Sequence, residues 1–592
     1  MRSLDETTPG ILVSHLGYGT GASKAVIAVV PDRPLTAELV GAGGTFVLNP
    51  GQVERVPGWS GGPYSRIPLP DDLAPGTYTV RVVVDGVELR SEPFEVGEER
   101  LQRRTMSDVL AYFKAMRSSG EIDRKDRAAR FWDDSSGATV DARGGWLDAS
   151  GDTSKFLSHL TYTSTMSPQQ IPLCAWAMLA ARDELAAHRP ALVPVLGARL
   201  RDEALWGADF LTRFRSAEGY FYTGIFDALT KRLDERVITA PLQHSVRTSR
   251  YQAAYRHGGG LAIAALARAS TVDDDGDRTR AEYFAAARDG FAHLEKHNLD
   301  YLFDGTESII DDYSALLAAT ELTAAAPHHE PTGAARDAAP QSARGSAQEV
   351  ARAAAREAAC RRASLLIERY VRSGDGPGWF RADERGRPFF HAAEPGLPVL
   401  ALLRFAEVLP DAAESTAARR TAIRAMLDLL DRTASVPNPF GYPRSLVQPL
   451  DEEPREAFFF PHANETGYWW QGENAAIASL SAAARACARL DGLATDDRAR
   501  LSTFADDQLN WIVGRNPFDS SMLQGRGRNN ADYSSDFPNL PGGIVNGVTS
   551  GWTDEDDLAF LPPDAPEGDA WRWAEQWIPH TGWFLLAVSA AR

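Results

Sequence analysis

The chain has 592 residues, with 62 Lys+Arg against 80 Asp+Glu and a formal charge of −18. Apolar residues make up 44% and charged ones 24%, an ordinary globular balance that allows a large core and excludes wholesale disorder. The acidic excess argues against a nucleic-acid partner, which needs clustered Lys and Arg. Cys174, Cys360 and Cys487 lie far apart with no C-x-x-C between them, which excludes a zinc ribbon and a disulfide scaffold. No apolar h-region opens the sequence, and no run of about 18 apolar residues exists to span a bilayer. The expectation is a soluble, cytoplasmic chain with no membrane partner.

The first hundred residues read as strands. Ile11–His15 and Ala25–Val30 are short apolar runs followed by Gly/Pro punctuation. Gly76–Val84 alternates with period two, and Asp85-Gly86 is a hairpin-turn signal. This spacing predicts a small β-sandwich over residues 1–98, ending near Phe94–Gly97. After Glu98 the chain becomes Ala/Leu/Arg-rich. Ala175–Ala187, Leu200–Phe214, Gly259–Ala269, Tyr313–Ala324, Pro398–Val408, Ala417–Leu430, Asn474–Leu490 and Arg498–Val513 carry helical spacing. Apolar residues at i, i+3, i+4 and i+7 predict helices with one buried face. About a dozen such segments make residues 99–592 a large all-α domain. Within it, Ala324–Gln348 is low in complexity and reads as a poorly ordered surface insertion outside the helical core. His328 and His329 there read as a solvated loop rather than a metal site.

Three segments could carry chemistry. In Gly144-Gly-Trp146-Leu-Asp148-Ala-Ser-Gly-Asp152, two carboxylates flank a Ser-Gly turn beside a tryptophan. Gly151 frees the backbone to turn both acids into one cleft, where they could hold a water and take its proton. Equally, Asp152 could cap a following helix. The C-terminal run Trp571–Trp583 is the second: five of 14 tryptophans fall in the last 41 residues, with Glu575 among them. Aromatic faces such as Trp577 suit the apolar faces of sugar rings, and a desolvated Glu575 would be a general acid. The alternative is a tryptophan-rich core with Glu575 paired to Arg572. In the third, Pro461–Asn474, His462, Asn464, Glu465, Trp469 and Trp470 interleave hydrogen-bonders with indoles. That suits a loop holding sugar hydroxyls, while Glu473 or Asn474 could simply start the next helix.

These segments resemble, in order along nearly the whole chain, glycoside hydrolase family nine, the inverting cellulase-type family. Ile11–Tyr18 followed by Lys24 resembles the opening strand of that family's N-terminal immunoglobulin-like domain. Gly144–Asp152 resembles its G-G-W-Y-D-A-G-D, Glu203–Phe210 its E-x-x-W-G-A-D-Y helix, and Trp511–Pro517 its Y-I-L-G-x-N-P. Glu575 takes the place of its proton-donating Glu. The resemblance implies an all-α (α/α)6 barrel behind an immunoglobulin-like sandwich. Asp148 and Asp152 would hold the water, with Asp152 the base, and Glu575 would be the acid. The sequence departs from the pattern in three places. The aspartates are four apart rather than three, Arg526–Asp532 stands where P-H-H-R is expected, and Ala574 replaces the Asn before the acid. The D-A-S-G-D spacing resembles the branch of exo-β-glucosaminidases, which remove terminal glucosamine from chitosan-type oligosaccharides. That implies an oligosaccharide substrate with glucosamine first and glucose second. Glu465 would read the ammonium, His462 and Asn464 the hydroxyls, with Trp146, Trp469, Trp470 and Trp577 as ring contacts. No cofactor is called for, and a structural calcium ion stays open.

Other classes lack their signatures. There is no H-E-x-x-H, no G-x-S-x-G and no G-x-x-x-x-G-K-[ST]. A cellulase-type enzyme, an inactive carbohydrate-binding protein on the same scaffold, and a lyase or epimerase remain the alternatives.

Overall fold

The computed structural model describes residues 8–329, 344–374, 376–533 and 538–592. In strand Gly76–Val84, Tyr78, Val80, Val82 and Val84 point inward while their neighbours stay half-exposed, the period-two pattern of a strand with one face in a core. Its turn to Val87–Arg90 runs through Asp85 and Gly86, both at positive φ (48° and 78°), as a two-residue hairpin of type I′ needs. One sheet has the spatial order Gly10–Leu12, Ala25–Val29, Tyr64–Pro68, Val53–Glu54. The other runs Tyr18–Gly19, Phe94–Gly97, Gly76–Val84, Leu35–Gly41, Gly44–Leu48. Val26, Ala28 and Ile67 of the first sheet and Leu39, Val80, Val82 and Phe94 of the second fill one core. The two sheets therefore form a sandwich.

Helices begin at Arg100. Among the described residues twelve longer ones follow: α1 (Arg100–Met116), α2 (Ile171–His188), α3 (Val193–Arg213), α4 (Gly259–Ala269), α5 (Arg280–Tyr301), α6 (Ile309–Ala325), α7 (Arg344–Arg369), α8 (Leu397–Val408), α9 (Ser415–Thr433), α10 (Asn474–Ala488), α11 (Thr495–Ile512) and α12 (Ile578–Ala590). Each even-numbered helix packs on the next even one, and α12 closes the ring on α2. The odd-numbered helices lie outside, each against an inner partner. Several inner helices do not have the single buried face that the sequence periodicity suggested, though α8 keeps one. Every residue of α12 is buried, and α4 is buried throughout except at Arg268. A helix enclosed on all sides has no polar face to conserve.

The expected insertion is shorter than 324–348. Ala324 and Ala325 finish α6, and Ala326–His329 forms a single 3-10 turn. His329 stacks on Phe284 at 4.4 Å and bonds the Ser270 carbonyl at 3.2 Å. The backbone is helical again from Arg344, and residues 330–343 lie outside the described residues.

The sandwich docks on the helical unit through buried polar contacts. The His15 backbone N–H donates to the Val513 carbonyl at 2.9 Å, and its Nε2 lies 3.0 Å from Asp519 Oδ1. Gly514, at φ 115°, lies so close that a Cβ there would fall 2.4 Å from the His15 ring. Asp507 receives Arg66 of the sandwich at 3.0 Å and the buried Arg515 at 2.5 Å. Replacing Asp507 with Ala leaves Arg515 buried without its anion, which costs about 3–5 kcal/mol. Urea denaturation should read a loss of that size. A loss below about 1 kcal/mol, the level of an exposed pair, would mean that this contact does not hold the two units together.

Candidate active site

The cleft forms where loops enter the N-terminal ends of the inner helices. Residues 144–170 lead into α2, and residues 571–577 lead into α12. The two loops pair. Ser150 N–H donates to the Gln576 carbonyl at 2.8 Å, Gln576 N–H to Ser150 Oγ at 2.8 Å, and Ile578 N–H to the Asp148 carbonyl at 3.1 Å. Ala149 and Trp577 thereby face each other as an antiparallel bridge. Gly151, at φ 92°, turns the chain back so that Asp152 N–H reaches the Ala149 carbonyl at 3.1 Å. The pairing brings Asp148, Asp152 and Glu575 into one cluster.

A buried ion group fixes this loop from below. Lys155 has its Nζ 2.6 Å from Asp126 and donates to the carbonyls of Ala142 (2.5 Å) and Gly144 (3.0 Å). Arg236 reaches the same Asp126 at 2.7 Å and the Thr153 carbonyl at 2.6 Å. The two cations therefore clamp the segment on both sides of Asp148. Burial disfavours the Asp126 carboxylate, yet the charges of Lys155 and Arg236 outweigh it and hold its pKa below the usual range.

Each of the three clustered acids titrates above its ordinary value. Burial is the main cause for all of them. For Glu575 the charges of Asp152 and then Asp148 add to it, and for Asp148 the charge of Asp152 does. Asp152 rises less, because Ser154 donates to it, from its backbone N–H at 2.8 Å. Asp152 is thus raised less than Asp148 and Glu575. Asp148 Oδ1 accepts the Trp577 indole N–H at 3.2 Å and the Gln170 amide. None of the three forms an ion pair among the described residues. Tyr533 lies close enough to Glu575 and Asp152 for their charges to raise its pKa, and Asp152 acts likewise on Tyr468.

Two local alternatives fall away. Asp152 caps no helix, because the chain continues into strand Lys155–Phe156. Arg572 is taken by Asp569 at 3.0 Å and by the carbonyls of Tyr468 and Trp470, so it does not pair with Glu575. Glu473, by contrast, does start α10.

Several expected sugar contacts are structural. Trp146 is fully buried against Phe113, with its N–H on Glu203 at 2.9 Å, and does not reach the cleft. Glu465 meets neither solvent cation nor arginine. Its carboxylate accepts the backbone N–H and hydroxyl of both Ser164 (3.1 and 3.0 Å) and Thr165 (2.5 and 2.8 Å). With four donors bound, it has no capacity left for an ammonium. Asn464 pins its own loop through the carbonyls of Pro461 and Trp469 and the N–H of Thr466. Trp470 is stacked by His462 at 3.7 Å and carries the Arg572 guanidinium 4.2 Å from its ring centre. No face is left for a sugar. His462 bonds Ser550 Oγ at 2.8 Å, and burial, with the Arg572 charge, brings its pKa to about 4. Trp469 and Trp577 do lie beside the cluster, edge to face at 5.8 Å. Gln170, His159 and Tyr533 are site residues that the sequence reading missed. The polar pair Gln169-Gln170 directly before an apolar helix was the one available signal.

Comparison with known proteins agrees with this architecture. Residues 103–360 match the model of Glycosyl hydrolase family 9. That stretch includes Asp148 and Asp152 but stops short of Glu575. The Bacteroides ovatus GH9 structure is similar over 98% of each chain, with 15% identity and a TM-score of 0.63. A single mutant of a thermostable endoglucanase from Alicyclobacillus acidocaldarius is similar over 98% of this chain and 99% of its own, with 14% identity and a TM-score of 0.61. At these identities the likeness is one of fold. No curated protein matches the chain. On the family match the protein is a glycoside hydrolase.

Among the described residues, no group of three or more His, Cys, Asp and Glu is arranged to hold a metal, and no helix is long and apolar enough to cross a membrane. Replacing Glu465 with Gln should lower the melting temperature, since an amide nitrogen would then face backbone and hydroxyl donors at a cost of about 1–3 kcal/mol. The kcat/KM ratio between glucosamine- and glucose-terminated disaccharides should not move. A selective loss on the first substrate would return Glu465 to ammonium recognition.

Proposed function

We propose that the protein hydrolyses β-1,4-glycosidic bonds of oligosaccharides with inversion, removing terminal sugars, glucosamine ahead of glucose. The closed ring of inner helices supports reading the helical unit as an (α/α)6 barrel, and the two-sheet unit as an immunoglobulin-like domain. The observation that carries the proposal is the convergence of Asp148, Asp152 and Glu575 through the pairing of loops 148–150 and 576–578. Three carboxyls in one desolvated cleft cannot all ionise, so they divide into base and acid.

A water held by Asp148 and Asp152 attacks the anomeric carbon and gives its proton to Asp152. The bond from that carbon to the leaving oxygen breaks, and Glu575 delivers its proton to that oxygen. Inversion needs acid and base about 6.5–9.5 Å apart, leaving room for the water. The ionised member of this cluster, with no Lys or Arg paired to it among the described residues, favours a cationic sugar such as glucosamine. The second reading, cleavage of cello-oligosaccharides, draws on the endoglucanase among the structural neighbours.

Glu575→Gln should reduce kcat on a natural oligosaccharide by about a hundredfold or more, the scale of a lost general acid. On an aryl glycoside with a good leaving group it should stay active and lose the alkaline limb of the pH profile. That limb exists because activity falls as pH rises through the elevated Glu575 pKa. Near-normal turnover of the oligosaccharide by this variant would refute the assignment. Proton NMR of the first product should show the inverted anomer. Turnover of chitobiose-type amines and of cellobiose, measured side by side, decides between the two substrate readings.

A further inference from the structure

A hydrogen-bonded chain leads from Asp148 to a group that the reaction as proposed does not use. Asp148 Oδ1 accepts from the Trp577 indole, which can only donate, and from Gln170. With any Asp148 proton on the other oxygen, which faces the cleft, Oδ1 accepts from both, and Gln170 presents its amide nitrogen to it. The far end of Gln170 is then its carbonyl oxygen, Oε1, which can only accept. His159 Nδ1 lies 3.0 Å from that Oε1, so Nδ1 must carry the hydrogen. In a neutral imidazole, a hydrogen on Nδ1 leaves a bare lone pair on Nε2.

The surroundings keep the ring neutral and aimed. His159 stands edge-on to Trp469 and Trp577, each at 5.8 Å, the second being the indole that bonds Asp148. Burial brings its pKa to about 4, against the opposing bond from Gln170. Gln170 is fully buried, whereas His159 stays half-exposed. The Nδ1 edge therefore faces the protein. Among the described residues Nε2 has no hydrogen-bond partner, and it is not among the buried polar atoms left without one.

We infer that His159 is a specificity-determining residue whose Nε2 accepts a hydrogen bond from a hydroxyl or ammonium group of the sugar bound at the Asp148–Asp152 pair, and that Gln170 is the positioning residue that fixes this polarity. The inference rests on the proposed hydrolytic reading of the three carboxyls. It adds that the cleft selects for a hydrogen-bond donor at this point and rejects a sugar bearing only an acceptor there, because two lone pairs would then face each other. Gln170 also loads one oxygen of Asp148 with a second donor, leaving the other oxygen for the water.

Two substitutions separate the roles, because an Asn side chain reproduces the Nδ1 position of histidine and a Gln side chain the Nε2 position. His159→Asn keeps the donor to Gln170 and removes the acceptor. It should lower kcat/KM by roughly tenfold for a neutral hydroxyl, and more for an ammonium, the usual worth of one hydrogen bond. Its pH profile should stay in place. His159→Gln keeps the acceptor and frees Gln170, and Gln170→Leu removes the donor to Asp148 altogether. Both should displace the acid limb of kcat/KM, since Asp148 loses a donor that favours its ionised form and the charge it shares with Asp152 changes. Glucosamine- and glucose-terminated disaccharides form the two arms: a larger loss on the amine in His159→Asn assigns Nε2 to the ammonium, an equal loss to a hydroxyl. Unchanged kcat/KM on both substrates in His159→Asn, with the wild type active, overturns the inference. An inactive wild type would instead sink the hydrolytic reading. Nitrogen-15 NMR of the full chain labelled at histidine reads the tautomer without any substrate, with His159→Asn assigning the signal. A hydrogen on Nδ1 is expected, and one on Nε2 overturns the inference whatever the activity.

Discussion

The short antiparallel pairing of Ala149–Ser150 with Gln576–Ile578 is the contact on which the rest of the cleft depends. Its strands lie more than 400 residues apart in sequence, and it is made where α12 closes the ring on α2. Closing the ring and assembling the three acids are therefore one event. Glu575 is held in place on both sides, its own backbone carbonyl by Asn546 N–H at 2.8 Å and its neighbour Gln576 by Ser150.

Desolvation then differentiates acids that are identical in solution. Asp126 is as buried as Asp148, but it has Lys155 and Arg236 and stays ionised. Asp148 has only neutral donors, and burial together with the charge of Asp152 raises both Asp148 and Glu575. The contrast is one of partners, not of depth. Similar logic applies to Glu394, fully buried with Tyr313 and the Gln169 N–H as donors and no cation, whose pKa is pushed up to about 8 by burial. Lys155 and Arg236 are both engaged at Asp126, which leaves Asp148, Asp152 and Glu575 without an ion pair among the described residues.

The aromatic residues show how chemistry and architecture can be confused. The Pro461–Asn474 loop has the composition of a sugar-binding surface, yet most of it is internally saturated. Trp470 is covered by His462 and Arg572, Asn464 ties its own turn, and Glu465 anchors the loop at Ser164 and Thr165. This loop braces the wall of the cleft, and of its side chains Trp469 lies against Trp577 and the exposed Tyr468 near Asp152.

Local burial leaves its record in the order of residues. The alternation in Gly76–Val84, the turn at Asp85-Gly86, the switch to helical spacing after Glu98 and the Ser-Gly turn between Asp148 and Asp152 all record contacts within a few residues. Such patterns survive in one dimension because a strand or helix must present its own apolar face. Partner identity does not survive in that way. That Glu465 is met by hydroxyls 300 residues away, that Trp146 belongs to Glu203, and that Gln170 links Asp148 to His159 depend on which side chains the closed ring brings within 3 Å. A hydrogen bond needs direction and distance that no residue spacing encodes, so only the tertiary structure decided which polar residues serve the cleft and which hold it in shape.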